Sequence, residues 1–150
     1  MPITYQINGR PCAQDVRQLA VSVGWADPVR HGLDRVQSVW DAAPCTVLAY
    51  DGDRLVGMCR AMWDGHILAE IRYVVVHPDY QRRGIGGELV RLLIEELDNL
   101  GVAHLTLVAS QQNLKFYEKF GFKVREGLTP MIRTRLTGQN PEEGDECCSR

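Results

Sequence analysis

The stretch HPDYQRRGIGGELV, residues 77–90, decides how the chain is read. Arg82 and Arg83 stand beside glycines at 84, 86 and 87, and an apolar helical pattern begins at once. Glycine is a poor helix former, so three of them at a helix start need a reason. The first turn of a helix carries free N–H groups and the positive end of the helix dipole. Residues without side chains let an anion come close to that backbone, and arginines at the rim add charge-assisted donors. The stretch reads as a seat for a phosphate or pyrophosphate.

Known phosphate loops constrain the reading. A Walker loop ends in Gly-Lys-Ser/Thr, whereas Gly87 is followed by Glu88. The dinucleotide fingerprint needs a small third residue, and counting from Gly84 that place holds Leu89. A packing alternative stays open, in which the glycines only let a helix lie tight against a sheet.

Outward from this point the pattern is regular. Residues 67–76, ILAEIRYVVV, form a β-prone run that Pro78 ends. From Gly84 to Leu100 the apolar residues Ile85, Leu89, Leu92, Leu93, Leu97 and Leu100 fall on one side of a helix, and Gly101 closes it. HLTLVAS, 104–110, is a strand. Strand, helix and strand make a β-α-β crossover, so the two strands should be parallel neighbours. Upstream, CTVLAY (45–50), RLVGMCRAMW (54–63) and 67–76 are separated by Asp51-Gly52 and Asp64-Gly65, a three-stranded antiparallel meander. The start, PITYQING, reads as a first strand. Helices are expected over 14–25 and 29–43, the second with Leu33, Val36, Val39 and Trp40 on one face, although Gly32 interrupts it. A short helix over 113–120 stops at Gly121, and final strands are expected over 122–126 and 131–136. The fold class is α/β (α+β): a mixed sheet of about seven strands with four helices on its faces. One domain spans 1–137, and the polar segment 138–150 reads as a tail outside the core.

Composition bounds the function. With 45% hydrophobic and 24% charged residues among 150, the chain can build a proper core. A formal net charge of −2 argues against nucleic acid as a partner. No signal peptide opens the chain and no apolar run is long enough to span a membrane, so a cytoplasmic protein is expected. Five cysteines, Cys12, Cys45, Cys59, Cys147 and Cys148, have scattered spacings without a CxxC pair. They read as reduced thiols, with no metal site among them.

The loop pattern Gln81-Arg82-Arg83-Gly84-Ile85-Gly86, after Val76-His77-Pro78, resembles the acyl-CoA-binding motif of the GNAT acyltransferases. A second segment, Asn113 with Phe116-Tyr117 and Phe120-Gly121-Phe122, is similar to that family's other recurring motif, and the order of elements matches from about residue 3 to 136. LAVSVGW, LVGMCRAMWDGH and FYEKFGF are also similar to a small bacterial branch that looks like the plastid serotonin N-acetyltransferases of plants.

The resemblance implies an N-acetyltransferase that moves an acetyl group from acetyl-CoA to a primary amine in a ternary complex, without a metal. Backbone N–H groups across Arg82, Arg83, Gly84, Ile85, Gly86 and Gly87 would hold the pyrophosphate, with Gln81 beside them. Val74, Val75 and Val76 would pair with the pantetheine arm as with an extra strand, and a backbone N–H there would face the carbonyl oxygen. The family's strand bulges and splays from the next one, so a bulge is expected near Tyr73 to Val75. Glu70 would be the base. Alternation places Glu70, Arg72, Val74 and Val76 on one face, so base and ion-pair partner of Arg72 stay as two readings. Tyr117 would be the acid for the thiolate, a phenol with a reference pKa of about 10, against the alternative of an aromatic packing residue. Asn113 would cap its helix and touch the cofactor, and His77 would line the site or serve as a turn residue. The amine pocket would come from the N-terminal helices, the loop 25–32 and the last strands, with Trp25, Trp40 and Trp63 as candidates. A small amine is the expected acceptor. Protein lysine or N-terminal acetylation and a non-catalytic acetyl-CoA-binding module are the alternatives, and a homodimer would be common among relatives.

Overall fold

The structure, a computed structural model, describes residues 2–25 and 30–133. The chain divides into two compact units, Met1–Leu107 and Val108–Arg150.

The first unit is built on a five-stranded sheet: β1 (Ile3–Ile7), β2 (Cys45–Asp51), β3 (Arg54–Trp63), β4 (Leu68–Val76) and β5 (His104–Thr106), in that spatial order. The first four strands are antiparallel neighbours, and β4 pairs with β5 in parallel. The expected meander and crossover are therefore both present. The turn after Asp51 is the two-residue connection that its sequence demands. Asp64 closes the next turn differently. Its Oδ1 accepts the N–H groups of His66, Ile67 and Leu68 at 2.7, 2.9 and 3.1 Å.

The helices are α1 (Ala13–Ser22), α2 (Leu33–Asp41) and α3 (Ile85–Asn99). The first ends before the expected Trp25 because Gly24 takes a left-handed φ of 78°. The N–H groups of Gly24 and Trp25 then turn back to the carbonyls of Val21 and Ala20. Gly32 is extended, so α2 begins after it; residue 29 lies outside the described residues. In α3 the buried residues are Ile85, Leu89, Val90, Leu93 and Leu97. Leu100 is the terminal cap residue and stays 41% exposed, against expectation.

Neighbouring residues of β3 show how the helices divide. A Cβ on Gly57 would meet Leu89 and Ile85 of α3, whereas Met58 belongs to a cluster with Val16 and Leu19 of α1 and Val36 and Trp40 of α2. Side chains alternate across a strand, so α3 covers one face of the sheet and α1 with α2 the other. Each fully buried aliphatic side chain in these layers contributes about 1.5–3 kcal/mol.

The second unit contains a 3₁₀ turn, Gln111–Asn113, and α4 (Leu114–Glu118). The strand expected over 122–126 is absent, as is any strand at 131–133; residues 134–136 and the tail lie outside the described residues. The sheet has five strands among the described residues, not about seven, and β5 stops at Thr106 instead of 110. The reason is that apolar alternation makes a strand only where a neighbour supplies a ladder and a surface to cover. Val124 and Ile132 are 62 and 57% exposed, so these segments have no such surface. Among the described residues no helix is long and apolar enough to cross a membrane.

Candidate functional site

The first half of β4 is paired on both sides: Ala69 and Glu70 face Trp63 and Met62 in β3, and Leu105 and Thr106 in β5. From Ile71 to Val76 the ladder with β3 continues, but the pairing with β5 has stopped. Within this open half one extra residue is inserted. Met58 faces Val75 and Arg60 faces Arg72, so two steps of β3 match three of β4, and Tyr73 has a φ of 58°. The bulge expected near Tyr73 to Val75 is there.

Its consequence corrects the expected alternation. Val76 lies opposite Gly57 on the α3 face, while Val75 lies opposite Met58 on the α1 and α2 face, together with Arg72 opposite Arg60. Val76 therefore does not share a face with Glu70 and Arg72. Glu70 and Arg72 do share one, and they form an ion pair with Arg72 Nη1 2.8 Å from Glu70 Oε1. Both side chains are about two-fifths exposed.

The loop after β4 is tied down at several points. The His77 N–H reaches the Val56 carbonyl at 2.8 Å, and His77 Nδ1 accepts the Asp79 N–H at 3.1 Å. His77 thus serves the turn. Gln81 donates from Nε2 to the Val76 carbonyl at 3.0 Å, so its side chain closes the loop on the strand. The Tyr80 hydroxyl donates to Asp51 Oδ2 at 2.6 Å. That carboxylate holds the phenol above its ordinary range, with burial adding to the shift. The guanidinium carbons of Arg54 and Arg83 stand 5.6 and 5.1 Å from the Tyr80 ring centre.

From this anchored turn the chain enters α3 through two left-handed residues, Arg82 at φ 64° and Gly84 at φ 79°. An arginine is strained there, whereas a glycine is not. The first intrahelical bond runs from the Glu88 N–H to the Gly84 carbonyl at 3.0 Å. The N–H groups of Ile85, Gly86 and Gly87 precede it and have no acceptor within the helix. The glycines can be tested for a packing role. A Cβ on Gly84 or Gly87 would meet nothing within 4 Å. On Gly57 it would meet Leu89 Cδ1 at 3.0 Å and both Ala49 Cβ and Ile85 Cγ2 at 3.3 Å. The packing glycine is therefore Gly57, and Gly84 and Gly87 keep space clear beside donors. Residues 82–87 fit a pyrophosphate.

The candidate residues separate into three sets. Val74, Val75, Val76, Gln81, Arg82, Arg83, Gly84, Ile85, Gly86 and Gly87 run as one open strand end, turn and helix start. Ile85 and Val75 are 2 and 3% exposed, so what they can offer a ligand is backbone. Glu70 stands where β4 loses its second partner. Asn113 and Tyr117 lie in the second unit. Asn113 occupies the cap position of α4, but its side chain does not cap the helix; Nδ2 donates to Ser110 Oγ at 3.0 Å. Tyr117 is half-buried among aromatic rings, with Phe116 at 4.9 Å and Phe122 at 6.1 Å between centres.

Residues 17–122 match the Acetyltransferase (GNAT) family. The chain belongs to the GNAT acetyltransferase family. A curated relative, the uncharacterized N-acetyltransferase ycf52 of Gracilaria tenuistipitata var. liui, is 36% identical over 72% of this chain and 60% of its own length. The chloroplastic GCN5-related N-acetyltransferase 2 of Arabidopsis thaliana is 37% identical over 53% of this chain and 31% of its own. These matches accord with the resemblance to a plastid branch of the family. In three dimensions the chain is similar to a Staphylococcus aureus protein of unknown function described as a probable acetyltransferase. The TM-score is 0.79 at 24% identity, over 90% of this chain and all of that one, which establishes the GNAT fold.

Sequence reasoning gave no part to three residues that shape this region. Tyr80 lies in the stretch 77–90, and its signal was an aromatic ring just before Arg82 and Arg83. Gly57 gave none beyond a glycine inside a strand pattern. Arg60 gave none, because its burial depends on which face of β3 the two N-terminal helices cover.

Proposed function

We propose that the chain binds acetyl-CoA at the β4–α3 junction and transfers the acetyl group to a primary amine on a small molecule. One observation carries the reading: β4 loses its β5 partner after Glu70 and runs into a turn and helix start with three N–H groups that have no acceptor in the helix, and with clear space beside Gly84 and Gly87. Residues 82–87 would hold the pyrophosphate, and the backbone of Val74 to Val76 would accompany the pantetheine amides. Acetyl-CoA would supply the activated acyl carbonyl.

The chain's own groups handle orientation and protons. An N–H of the bulged segment at Val74 or Val75 would donate to the carbonyl oxygen; such donors are typically worth about 3 kcal/mol of barrier. Glu70 would accept the proton of the attacking amine. Arg72 engages Glu70 at Oε1, 2.8 Å away, and holds the carboxylate in place beside the open half of β4. Tyr117 would return a proton to the leaving sulfur. Its assignment rests on the family-like segment in which it stands, and Asn113 is placed beside the cofactor on the same ground.

Coenzyme A titration, followed by thiol release with a panel of amines, tests the proposal. Wild type should bind coenzyme A and turn over at least one small amine. Tyr117→Phe should lower kcat by about 100-fold with coenzyme A affinity unchanged. Binding without turnover of any amine would instead make the chain a cofactor-binding module, and turnover restricted to lysine peptides or protein N-termini would make it a protein acetyltransferase.

A further inference from the structure

A cavity of about 140 Å³ opens on the α1 and α2 face of the sheet, lined by Arg35, Val36, Trp40, Arg60 and the bulge residue Tyr73, among others. Arg60 is the residue opposite Arg72 in the β3–β4 ladder and Tyr73 is the bulge residue of β4, so the cavity borders the open half of β4. This is close to the volume, about 150 Å³, that accommodates one benzene-sized group. Three of its walls, Val36, Trp40 and Tyr73, are apolar or aromatic.

Its charge is unusual. The Arg60 guanidinium carbon lies 4.8 Å from the Tyr73 ring centre and 5.9 Å from that of Trp40, and its Nε is buried without a hydrogen-bond partner. Among the described residues no carboxylate pairs with Arg60 or with Arg35; the nearby Glu70 is taken by Arg72. Burial pushes the Arg60 guanidinium below the ordinary arginine range, Tyr73 partly offsets this, and Arg72 adds to the lowering. A half-buried cation without a counter-charge carries a desolvation cost, and a planar guanidinium held beside aromatic rings is preorganised for a carboxylate or phosphate.

We propose that this cavity receives an anionic group of the acceptor, so that the amine substrate is zwitterionic, carrying a carboxylate or phosphate beside its primary amine. The inference rests on the acetyl-transfer reading for the nature of the second group, and on Arg60 and Arg35 for the first. Polyamines and lysine side chains would bring an ammonium toward two guanidiniums with no neutralising partner, so the cavity discriminates against them.

Matched pairs test this: tyrosine against tyramine for the carboxylate, and phosphoethanolamine against ethanolamine for the phosphate, with spermidine as the cationic control. The anionic member of at least one pair should show a kcat/KM about tenfold higher or more. Which pair responds identifies the anion. Arg60→Met should remove that preference while coenzyme A affinity and turnover of the uncharged-tail amine stay as in wild type, and Arg60→Lys should restore part of it. Should Arg60→Met not fold, Arg35→Ala on the exposed side of α2 should reduce the same preference.

Melting shifts with tyrosine and with tyramine read the cavity without turnover: tyrosine should stabilise wild type more, and Arg60→Met should lose the difference. Equal kcat/KM within both pairs, or a folded Arg60→Met that weakens both members alike, overturns the proposal. Failure of wild type to bind coenzyme A would sink the acetyl-transfer reading instead, and the melting shifts would still judge the cavity.

Discussion

The two halves of β4 are made of similar residues and do opposite things. Ala69 and Glu70 are hydrogen-bonded to strands on both sides, behind a turn that the Asp64 carboxylate holds with three backbone bonds. Ile71 to Val76 keep one ladder, contain the bulge at Tyr73, and lead into the left-handed Arg82 and Gly84. The closed half contains none of the non-glycine residues with positive φ; the open half and its loop contain two of the three found among the described residues, Tyr73 and Arg82. Backbone strain persists only where surrounding structure fixes it, and it gathers at sites of function. The closed half is what the fold needs to stand, and the open half is what the fold is standing for.

If that division is right, substitutions on the two sides should separate activity from stability. The largest effect is expected at the boundary. Glu70→Gln should lower kcat by about 100-fold or more if the carboxylate takes the proton, while stability changes by less than about 1 kcal/mol, because the pair with Arg72 is substantially exposed. A kcat within twofold of wild type would assign Glu70 to the ion pair alone.

Next comes Gly87→Asp. It fills clear space with a negative charge at a helix N-terminus. The helix should be stabilised by about 0.3–1 kcal/mol through its dipole. Coenzyme A affinity should fall about 30-fold, or about 2 kcal/mol, from blocked approach and like-charge repulsion. Calorimetric binding and thermal melting should thus move in opposite directions. Unchanged affinity would remove the pyrophosphate from this loop.

Gly57→Val makes the reverse case. Its side chain would press on Leu89 and Ile85 behind the open half, and overpacking of this kind costs about 1–3 kcal/mol. Melting should fall while the coenzyme A affinity of the folded fraction changes little, since the loop glycines are untouched. An affinity loss matching that of Gly87→Asp would mean that the two glycines belong to one packed unit.

The same contrast explains what could be read in advance. The architecture was legible because its signals are local: the Asp-Gly turns at 51–52 and 64–65, the crossover helix with its buried Ile85, Leu89, Leu93 and Leu97, and the glycines at the start of that helix. The faces of the open half were not. Strict alternation grouped Val76 with Glu70, and a single inserted residue at Tyr73 undoes that grouping. Strands were expected over 122–126 and 131–136, but a strand is a property of a pair, and residues 122–126 and 131–133 have no partner strand among the described residues. Nothing in the sequence marked Arg60, whose guanidinium stands 5.9 and 4.8 Å from the ring centres of Trp40 and Tyr73. Position within a motif was readable for the candidate site, but the partners of its side chains were not.

The smallest effect should appear at the closed end, through Asp64. Its carboxyl lies below the ordinary aspartate value of 3.8, chiefly because it accepts backbone N–H groups of His66, Leu68 and Ile67. A carboxyl depressed in the folded state contributes stability above its unfolded value and loses it as pH falls through the folded one. Asp64→Asn keeps an oxygen acceptor but removes the charge, so the variant should melt slightly below wild type from pH 7 to about 5. That gap should close as pH drops through and below the ordinary aspartate value. Amides at the start of β4 should exchange faster in the variant at neutral pH, while those of Val74 to Val76 stay unaffected. A gap that is constant down to pH 3 would mean that the turn is held by geometry instead of charge. Faster exchange across the whole strand would mean that its two halves do not behave independently.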